Sequence, residues 1–245
     1  MKKYFLFLTL LFTSIFTFAQ NNVTFSSKIF PKIDKIQEFE MALKVHVQKY
    51  HTNDWKWNVF QVQSGPDYGG YMISEYPVSW DQVDKRGDLG SAHMADWNKN
   101  VLVHVREVGR MASYGEFKAE LSTVALTDYA DKIMVEYQIS KPGKASAHKT
   151  MLETLKKVWV EGKESVAVYE QVGSGAPKFA IITRFKDGLK VLSDDNQQAM
   201  STRLDKVYGG EGSYKIFADE YSKNVESRWS EILYKRVDLS YSSKK

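Results

Sequence analysis

An internal repeat is the feature of this 245-residue sequence that most limits its fold. Residues 57–65 (WNVFQVQSG) lead through a Pro/Gly turn into 71–76 (YMISEY), and residues 166–175 (VAVYEQVGSG) lead through a similar turn into 179–185 (FAIITRF). Both stretches place β-branched and aromatic residues around a Ser-Gly turn, a pattern typical of a β-hairpin. The sequence therefore predicts two copies of one folding unit.

The segments before each hairpin also match. Alternating runs at 23–29 and 133–139 predict strands with one buried face. Between these strands and the hairpins, apolar residues recur at three- and four-residue spacing, which predicts one-sided helices. The spaced residues are Ile36, Phe39, Leu43, Val47 and Tyr50 in the first copy and His148, Leu152, Leu155 and Trp159 in the second.

The segments after each hairpin complete the unit. Residues 95–101 and 219–225 align, each with an aromatic residue and an Asn-Val pair, and are predicted to open a second helix in each copy. Final strands are predicted at 111–121 and 233–239. Each copy then reads β-α-β-β-α-β, the ferredoxin-like unit, in which an antiparallel sheet has helices on one face.

This pattern predicts an α+β fold with defined boundaries. We expect a signal peptide at 1–19, a first ferredoxin-like repeat at 20–121, a linker at 122–128 and a second repeat at 129–245. Because one copy alone would expose the uncovered face of its sheet, the two copies are expected to pack sheet to sheet as an intramolecular barrel. The longer loops at 77–90 and 187–213 are predicted to hold extra short helices.

Two fused ferredoxin-like units with apolar sheet faces resemble the dimeric α+β barrel superfamily. That superfamily includes antibiotic-biosynthesis-monooxygenase-like, stress-responsive barrel and NIPSNAP-like proteins and haem-dependent chlorite-dismutase-like enzymes. The resemblance covers residues 23–240 and is one of pattern without a diagnostic motif, so it transfers no catalytic residue. It implies a cavity between the concave side of a sheet and its helices.

The first residues predict export. Lys2 and Lys3 precede an apolar run to about Phe16, and Thr17 and Ala19 supply the small side chains of a cleavage site. We expect cleavage after Ala19 and a secreted or periplasmic mature chain, with a retained N-terminal anchor as the alternative. No later segment approaches the ~20 apolar residues of a membrane helix, so no membrane span is expected.

Charge and cysteine content exclude several classes of function. Removing the leader leaves 32 Lys and Arg against 30 Asp and Glu, an excess too small and too scattered to indicate nucleic-acid binding. The chain has no cysteine, which excludes disulfides, cysteine hydrolases and cysteine-ligated iron–sulfur clusters. Its glycine runs lack nucleotide-binding spacing, and no serine stands in G-x-S-x-G.

Histidine spacing predicts no metal site. His46 and His51 are five residues apart and are predicted to point in different directions. His93 and His104 are eleven apart, which would separate them by about 16 Å on one helix.

His46 and His104 are nevertheless the candidate catalytic residues, because each leans toward the apolar face of its predicted helix. Each could be a general base or an axial haem ligand. The alternative is a half-buried structural histidine that is hydrogen-bonded to its neighbours. Haem is the cofactor that the resemblance suggests, and no motif in the sequence supports it.

Aromatic residues are dense in the first half, where they could fill a core or line a slot for a flat ligand. The candidate ligand-binding residues, including two from matching positions of the second copy, are Tyr50, Trp57, Tyr71, Trp97, Tyr221 and Arg228. The leading hypothesis is an exported protein that binds a small, partly apolar or aromatic molecule. The alternatives are an oxygenase-like enzyme, cofactor-free or haem-dependent, and a structural envelope protein. The sequence leaves the oligomeric state open.

Overall fold

The computed structural model describes residues 21–242, apart from 76, 87–88, 174 and 194–197. The predicted signal peptide, residues 1–19, lies outside the described residues. Within the described ranges, no helix combines the length and apolar character needed to cross a membrane.

The first half of the chain contains four strands and three helices among its described residues. They are β1 (Val23–Pro31), α1 (Ile36–Tyr50), β2 (Trp57–Val62), β3 (Tyr71–Glu75), α2 (Trp80–Lys85), α3 (Ser91–Asp96) and β4 (Val105–Phe117). Between α3 and β4 the chain forms a π-helical turn, Trp97–Val101, and a 3-10 turn, Leu102–His104.

The second half repeats the order of strands. Its elements are β5 (Lys132–Ser140), α4 (Ala145–Glu161), β6 (Val166–Val172), β7 (Lys178–Arg184), α5 (Met200–Tyr208), α6 (Ser213–Asn224) and β8 (Val225–Lys235). Short helices predicted in the two long loops are confirmed by α2 and α5.

The predicted starts of the second helices were wrong. Residues 219–225 do not open a helix, because α6 begins at Ser213, ends at Asn224 and passes directly into β8. In the first half, α3 begins at Ser91, four residues before the predicted start. The glycine run before α6 explains part of the error, since Gly209 and Gly212 have φ of 76° and 85° and separate two helices that the sequence pattern did not resolve.

The eight strands form one closed barrel in the order β1-β3-β2-β8-β5-β7-β6-β4. The halves meet along strand edges, where β2 pairs with β8 and β4 pairs with β6, all antiparallel. The apolar sheet faces that were expected to pack against each other are thus buried by closure of a single hydrogen-bonded ring. Closure pairs the edges that an open sheet would expose.

Alternation along the strands divides the apolar residues into three cores. One core fills the barrel, and the other two lie outside it, between the sheet and the helices of each half. The interior core includes Phe60, Val62, Met72, Ile133, Val135, Tyr137, Ala180 and Leu233. The first outer core includes Phe39, Leu43, Val47, Trp57, Val59 and Ile73, and the second includes Leu152, Leu155, Trp159, Val168 and Phe179.

A buried charge cluster also lies inside the barrel. The ammonium group of Lys28 on β1 contacts Asp67 at 2.7 Å and also contacts Glu231 on β8, and all three residues are at most 4% exposed. Asp67 reaches this position from the β2–β3 turn because Gly65 packs against β8. A Cβ at Gly65 would lie 2.6 Å from the Ser230 carbonyl oxygen, so only glycine fits there.

Candidate metal centre

Three histidines converge between α1 and α3 on the outer face of the sheet. The Nε2 atoms of His46 and His51 are 3.3 Å apart, and the Nε2 atoms of His51 and His93 are 3.4 Å apart. One ligand nitrogen from each ring lies within 4.8 Å of the other two. His46 and His51 are fully buried, and His93 is half-buried, so the cluster lies just beneath the surface.

The end of α1 brings His46 and His51 together. The helix stops at Tyr50, and His51 leaves helical geometry with φ −100° and ψ 65° while its N–H still donates to the Val47 carbonyl. The prediction that these two histidines point apart was therefore wrong, because it assumed a continuous helix. The break turns the His51 ring back toward His46.

The third histidine comes from α3. His93, Asp96, Trp97 and Asn100 follow three- and four-residue spacing, so they share one face of this segment. The Tyr50 hydroxyl, at the end of α1, donates to the Ala92 carbonyl at 3.1 Å and ties the two helices together.

The remaining ring nitrogens of His46 and His51 face hydrogen-bond acceptors. Nδ1 of His46 lies 2.7 Å from Oδ2 of Asp96, whose other oxygen accepts from the Asn100 amide at 2.9 Å. Nδ1 of His51 lies 3.3 Å from the Trp55 carbonyl oxygen. A carboxylate and a carbonyl can only accept, so both Nδ1 atoms carry the proton in neutral rings. The two Nε2 lone pairs then face each other across 3.3 Å.

The electrostatic setting keeps these rings neutral. Burial lowers the pKa of His46, although the hydrogen bond to Asp96 opposes the effect. Burial, reinforced by the other two histidines, lowers the pKa of His51 to about 2. The hydrogen bond from His46 lowers the pKa of Asp96, which therefore stays ionised. Neutral imidazoles with oriented lone pairs are the form that binds metal ions.

Aromatic rings surround the cluster. Trp57 stacks on His51, Trp97 lies 5.0 Å from His46, and Tyr50 lies 5.1 Å from His46, all between ring centroids. The structure thus brings together four of the candidate residues, His46, Tyr50, Trp57 and Trp97. They form the wall of a three-histidine site and not an open slot.

Comparison with solved structures identifies the fold. An anthrone oxidase-like protein superposes with a TM-score of 0.55 and 13% identity, covering 88% of this chain and 92% of the other. A monooxygenase candidate from Fusobacterium nucleatum gives a TM-score of 0.51 and 11% identity, covering 91% and 98%. This chain has the same α+β barrel fold as these two proteins. Identities this low show the fold of the α+β barrel and nothing about its chemistry.

Two other comparisons add little. A haem-binding protein from Thermus thermophilus superposes on 89% of this chain at 7% identity. Its TM-score of 0.45 is too low to support an argument about haem. No protein-family profile and no curated protein matches the sequence.

The other candidate residues lie elsewhere in the α+β barrel. His104 ends the 3-10 turn before β4, outside the histidine cluster. Tyr71 is buried in the first outer core, and its hydroxyl donates to Glu40 at 2.5 Å. Tyr221 and Arg228 lie in the second half, where the guanidinium is 5.5 Å from the Tyr221 ring centroid. Arg228 is on β8.

Sequence reasoning missed His51 and His93 as members of a shared site. One signal was available, since the Thr52-Asn53-Asp54 stretch that follows His51 is a helix-ending sequence. The convergence with His93 depends on how α3 packs on α1, forty-two residues along the chain, and nothing in local spacing reports that contact.

Proposed function

We propose that this protein binds a transition-metal ion of the zinc class through the Nε2 atoms of His46, His51 and His93. One observation carries the proposal: two imidazole lone pairs face each other at 3.3 Å in a buried site. Without a cation between them this arrangement is repulsive, and a metal ion turns both lone pairs into ligands.

The spacing fits the proposed ion. Zinc–nitrogen bonds of about 2.0–2.1 Å in tetrahedral geometry place neighbouring nitrogens about 3.3–3.4 Å apart. The two Nε2 contacts of His51, 3.3 Å to His46 and 3.4 Å to His93, match two edges of such a tetrahedron. The third edge, between His46 and His93, is at most 4.8 Å and closes when the half-buried His93 ring moves toward His46.

Hydrogen bonds beyond the ligands support the same interpretation. Asp96 on His46 and the Trp55 carbonyl on His51 hold each ring with its Nε2 pointing inward. Carboxylate–histidine pairs of this type fix the tautomer and raise the basicity of metal-ligating histidines. Asn100 in turn orients Asp96.

Three protein ligands leave one position of a tetrahedral ion open. Sites of this composition keep a water or a substrate in that position, and the ion lowers the pKa of the bound water. We therefore propose that the protein is a metal-dependent binding protein or enzyme whose small ligand reaches the ion past His93, the most exposed of the three ligands.

Haem does not fit at His46. The Nε2 atom that would bind the iron faces His51 at 3.3 Å, and the rings of Trp57 and Trp97 lie about 5–6 Å away. A porphyrin would have to displace these groups. The haem-dependent form of the oxygenase-like alternative therefore has no support at His46.

The finer architectural and cellular assignments belong to the same proposal. We propose that the barrel consists of two ferredoxin-like repeats, 20–121 and 129–245, supported by the matching order of strands and helices in the two halves. We also propose export with cleavage after Ala19, supported by the composition of the leader. Mass spectrometry of the mature protein tests the second point, with Gln20 as the expected first residue.

Metal titration tests the central proposal. Chelator-treated protein is titrated with Zn²⁺ by calorimetry and with Co²⁺ by visible absorption. We expect one ion per chain, a tetrahedral Co²⁺ spectrum, and at least a hundredfold loss of affinity in His46→Ala, His51→Ala and His93→Ala. His104→Ala is the matched control and should bind as the unmodified chain does. Absence of stoichiometric binding, or equal losses in His104→Ala, would overturn the proposal.

A further inference from the structure

We infer that the barrel interior holds a second site, separate from the metal centre, for a small planar molecule that carries a hydrogen-bond donor. The site lies on the inner face of the sheet and is bordered by Tyr137, whose ring centroid is 5.3 Å from the Lys28 ammonium group. An interior cavity and two unpaired polar atoms in its wall indicate this site.

The cavity is lined by seven of the eight strands. The cavity has a volume of about 80 Å³. It is therefore narrow and suits a flat molecule of about one aromatic ring. Tyr129, which is 48% exposed, lies in the wall and marks the opening to solvent.

The walls are mostly apolar or aromatic. The lining side chains of this character are Met72, Tyr129, Val135, Tyr137, Tyr169 and Ile182. Tyrosine rings combine a large contact area with little conformational freedom, which suits contact with another ring. Such walls favour an unsaturated ring compound over a sugar or a charged metabolite.

Two polar atoms in the wall lack partners. The side-chain oxygen Oε1 of Gln171 and the hydroxyl of Thr24 are buried, and neither has a hydrogen-bond partner among the residues that the structure describes. Gln171 is 9% exposed, and both residues line the cavity. Buried polar atoms almost always find partners, so these two indicate a ligand group. An amide oxygen can only accept, which means that the ligand must donate.

The interior site is distinct from the metal centre. Asn58 and Ser74 line the cavity, whereas the neighbouring Trp57 faces outward and packs on His51. Because successive residues of a strand point to opposite faces, the sheet itself separates the two sites. Binding inside the barrel should therefore not require the histidines.

A pair of ring compounds tests the inference. Phenol offers a hydroxyl donor, and anisole has the same ring with the donor blocked. Each is titrated into the full mature protein and followed by calorimetry. We expect phenol to bind one per chain and at least tenfold more tightly than anisole. Gln171→Leu and Thr24→Val should each weaken phenol binding roughly three- to tenfold, the loss expected for one buried hydrogen bond.

Three controls make the result decisive. Thr183→Val changes the same residue type on the outer face of β7 and should leave binding unchanged. His46→Ala should also leave it unchanged, so that failure of the metal proposal and failure of this one remain distinguishable. The melting temperature of ligand-free Gln171→Leu and Thr24→Val should equal or exceed that of the unmodified chain, because an unpaired acceptor is removed.

Several outcomes would overturn the inference. They are the absence of phenol binding, equal binding of both compounds, and binding that is lost in His46→Ala but retained in Gln171→Leu. A lowered melting temperature in Gln171→Leu and Thr24→Val without a change in binding would show that water alone occupies the cavity.

Discussion

The imidazole of His51 stacks on the indole of Trp57, with ring centroids 3.4 Å apart and ring planes 19° apart. Trp57 begins β2 and is itself held by the hydrogen bond that its Nε1 donates to the buried Glu75 at 3.3 Å. His51, the first residue after α1, is thus held against Trp57, the first residue of β2. The stacking contact orients the His51 imidazole, whose side-chain torsions would otherwise be free to turn.

Trp57→Leu should therefore weaken Zn²⁺ binding by about tenfold, because His51 loses the surface that orients it. The same variant should lose a large part of the quenching of tryptophan emission when Cu²⁺ binds, since Trp57 lies beside the site. Calorimetry and fluorescence titration measure the two effects. Trp229→Leu, inside the barrel, is the matched control. Unchanged Zn²⁺ affinity in Trp57→Leu would contradict the orienting role.

Asp96→Ala should lower Zn²⁺ affinity about 10- to 100-fold, the range observed when the carboxylate partner of a ligating histidine is removed. The loss of the Asp96 charge should also remove the effect that opposes burial on the pKa of His46. Asp219→Ala on the exposed face of α6 provides the comparison at an acid far from the site. Equal affinities in the two variants would show that Asp96 does not support the metal ligands.

Sequence reasoning reached the α+β barrel because its alternation and helical spacing report local burial directly. The strand around Val135 and the helix around Leu43 were placed in this way, and both are buried as expected. It did not reach the metal centre, because that site depends on where α1 stops and on how α3 packs against it. His46 was proposed from its helical face, whereas His93 joins it only through tertiary contact. The helix predicted to open at 219–225 was misplaced for a related reason, since α6 ends at Asn224 and passes directly into β8 at Val225.

Glu231→Gln should flatten the dependence of stability on pH. Burial raises the pKa of Glu231 in the folded protein, so the folded state binds more protons than the unfolded state above the ordinary carboxyl pKa. The free energy of unfolding of the unmodified chain should therefore fall as pH rises from the ordinary pKa of glutamate through the raised value. The glutamine variant keeps an acceptor for Lys28 but cannot ionise.

Urea denaturation across this pH range measures the difference between Glu231→Gln and the unmodified chain. Glu226→Gln, an exposed change on the same strand, is the control. If Glu231→Gln retained the full slope of unfolding free energy against pH, Glu231 would not be the source of that slope.

His148→Gln should reduce the loss of stability that the unmodified chain shows as pH falls. This pH dependence has the opposite sign to that of Glu231. The His148 ring is fully buried, contacts Ser140 and Gln138 at 2.8 Å each, and has a pKa lowered by burial to about 4. The unfolded chain binds the extra proton first, so stability is lost as pH falls from about 6.5 to about 4. A shift of this size corresponds to about 3 kcal/mol.

Chelator-treated protein should be used for this measurement, so that metal release does not contribute. The slope of unfolding free energy against pH should be smaller in His148→Gln than in the unmodified chain. His104→Gln should retain the original slope. A His148→Gln protein with the unchanged slope would exclude this residue as its source.

Closure of the eight-stranded barrel limits how copies of this protein can associate with one another. An open sheet presents two rows of free amide and carbonyl groups, onto which the strand of another molecule can add. In the described part of this chain, every named strand already has a neighbour on both sides. A barrel closed in this way offers no free strand edge in its described part, so at high concentration it should not grow into fibres through strand addition.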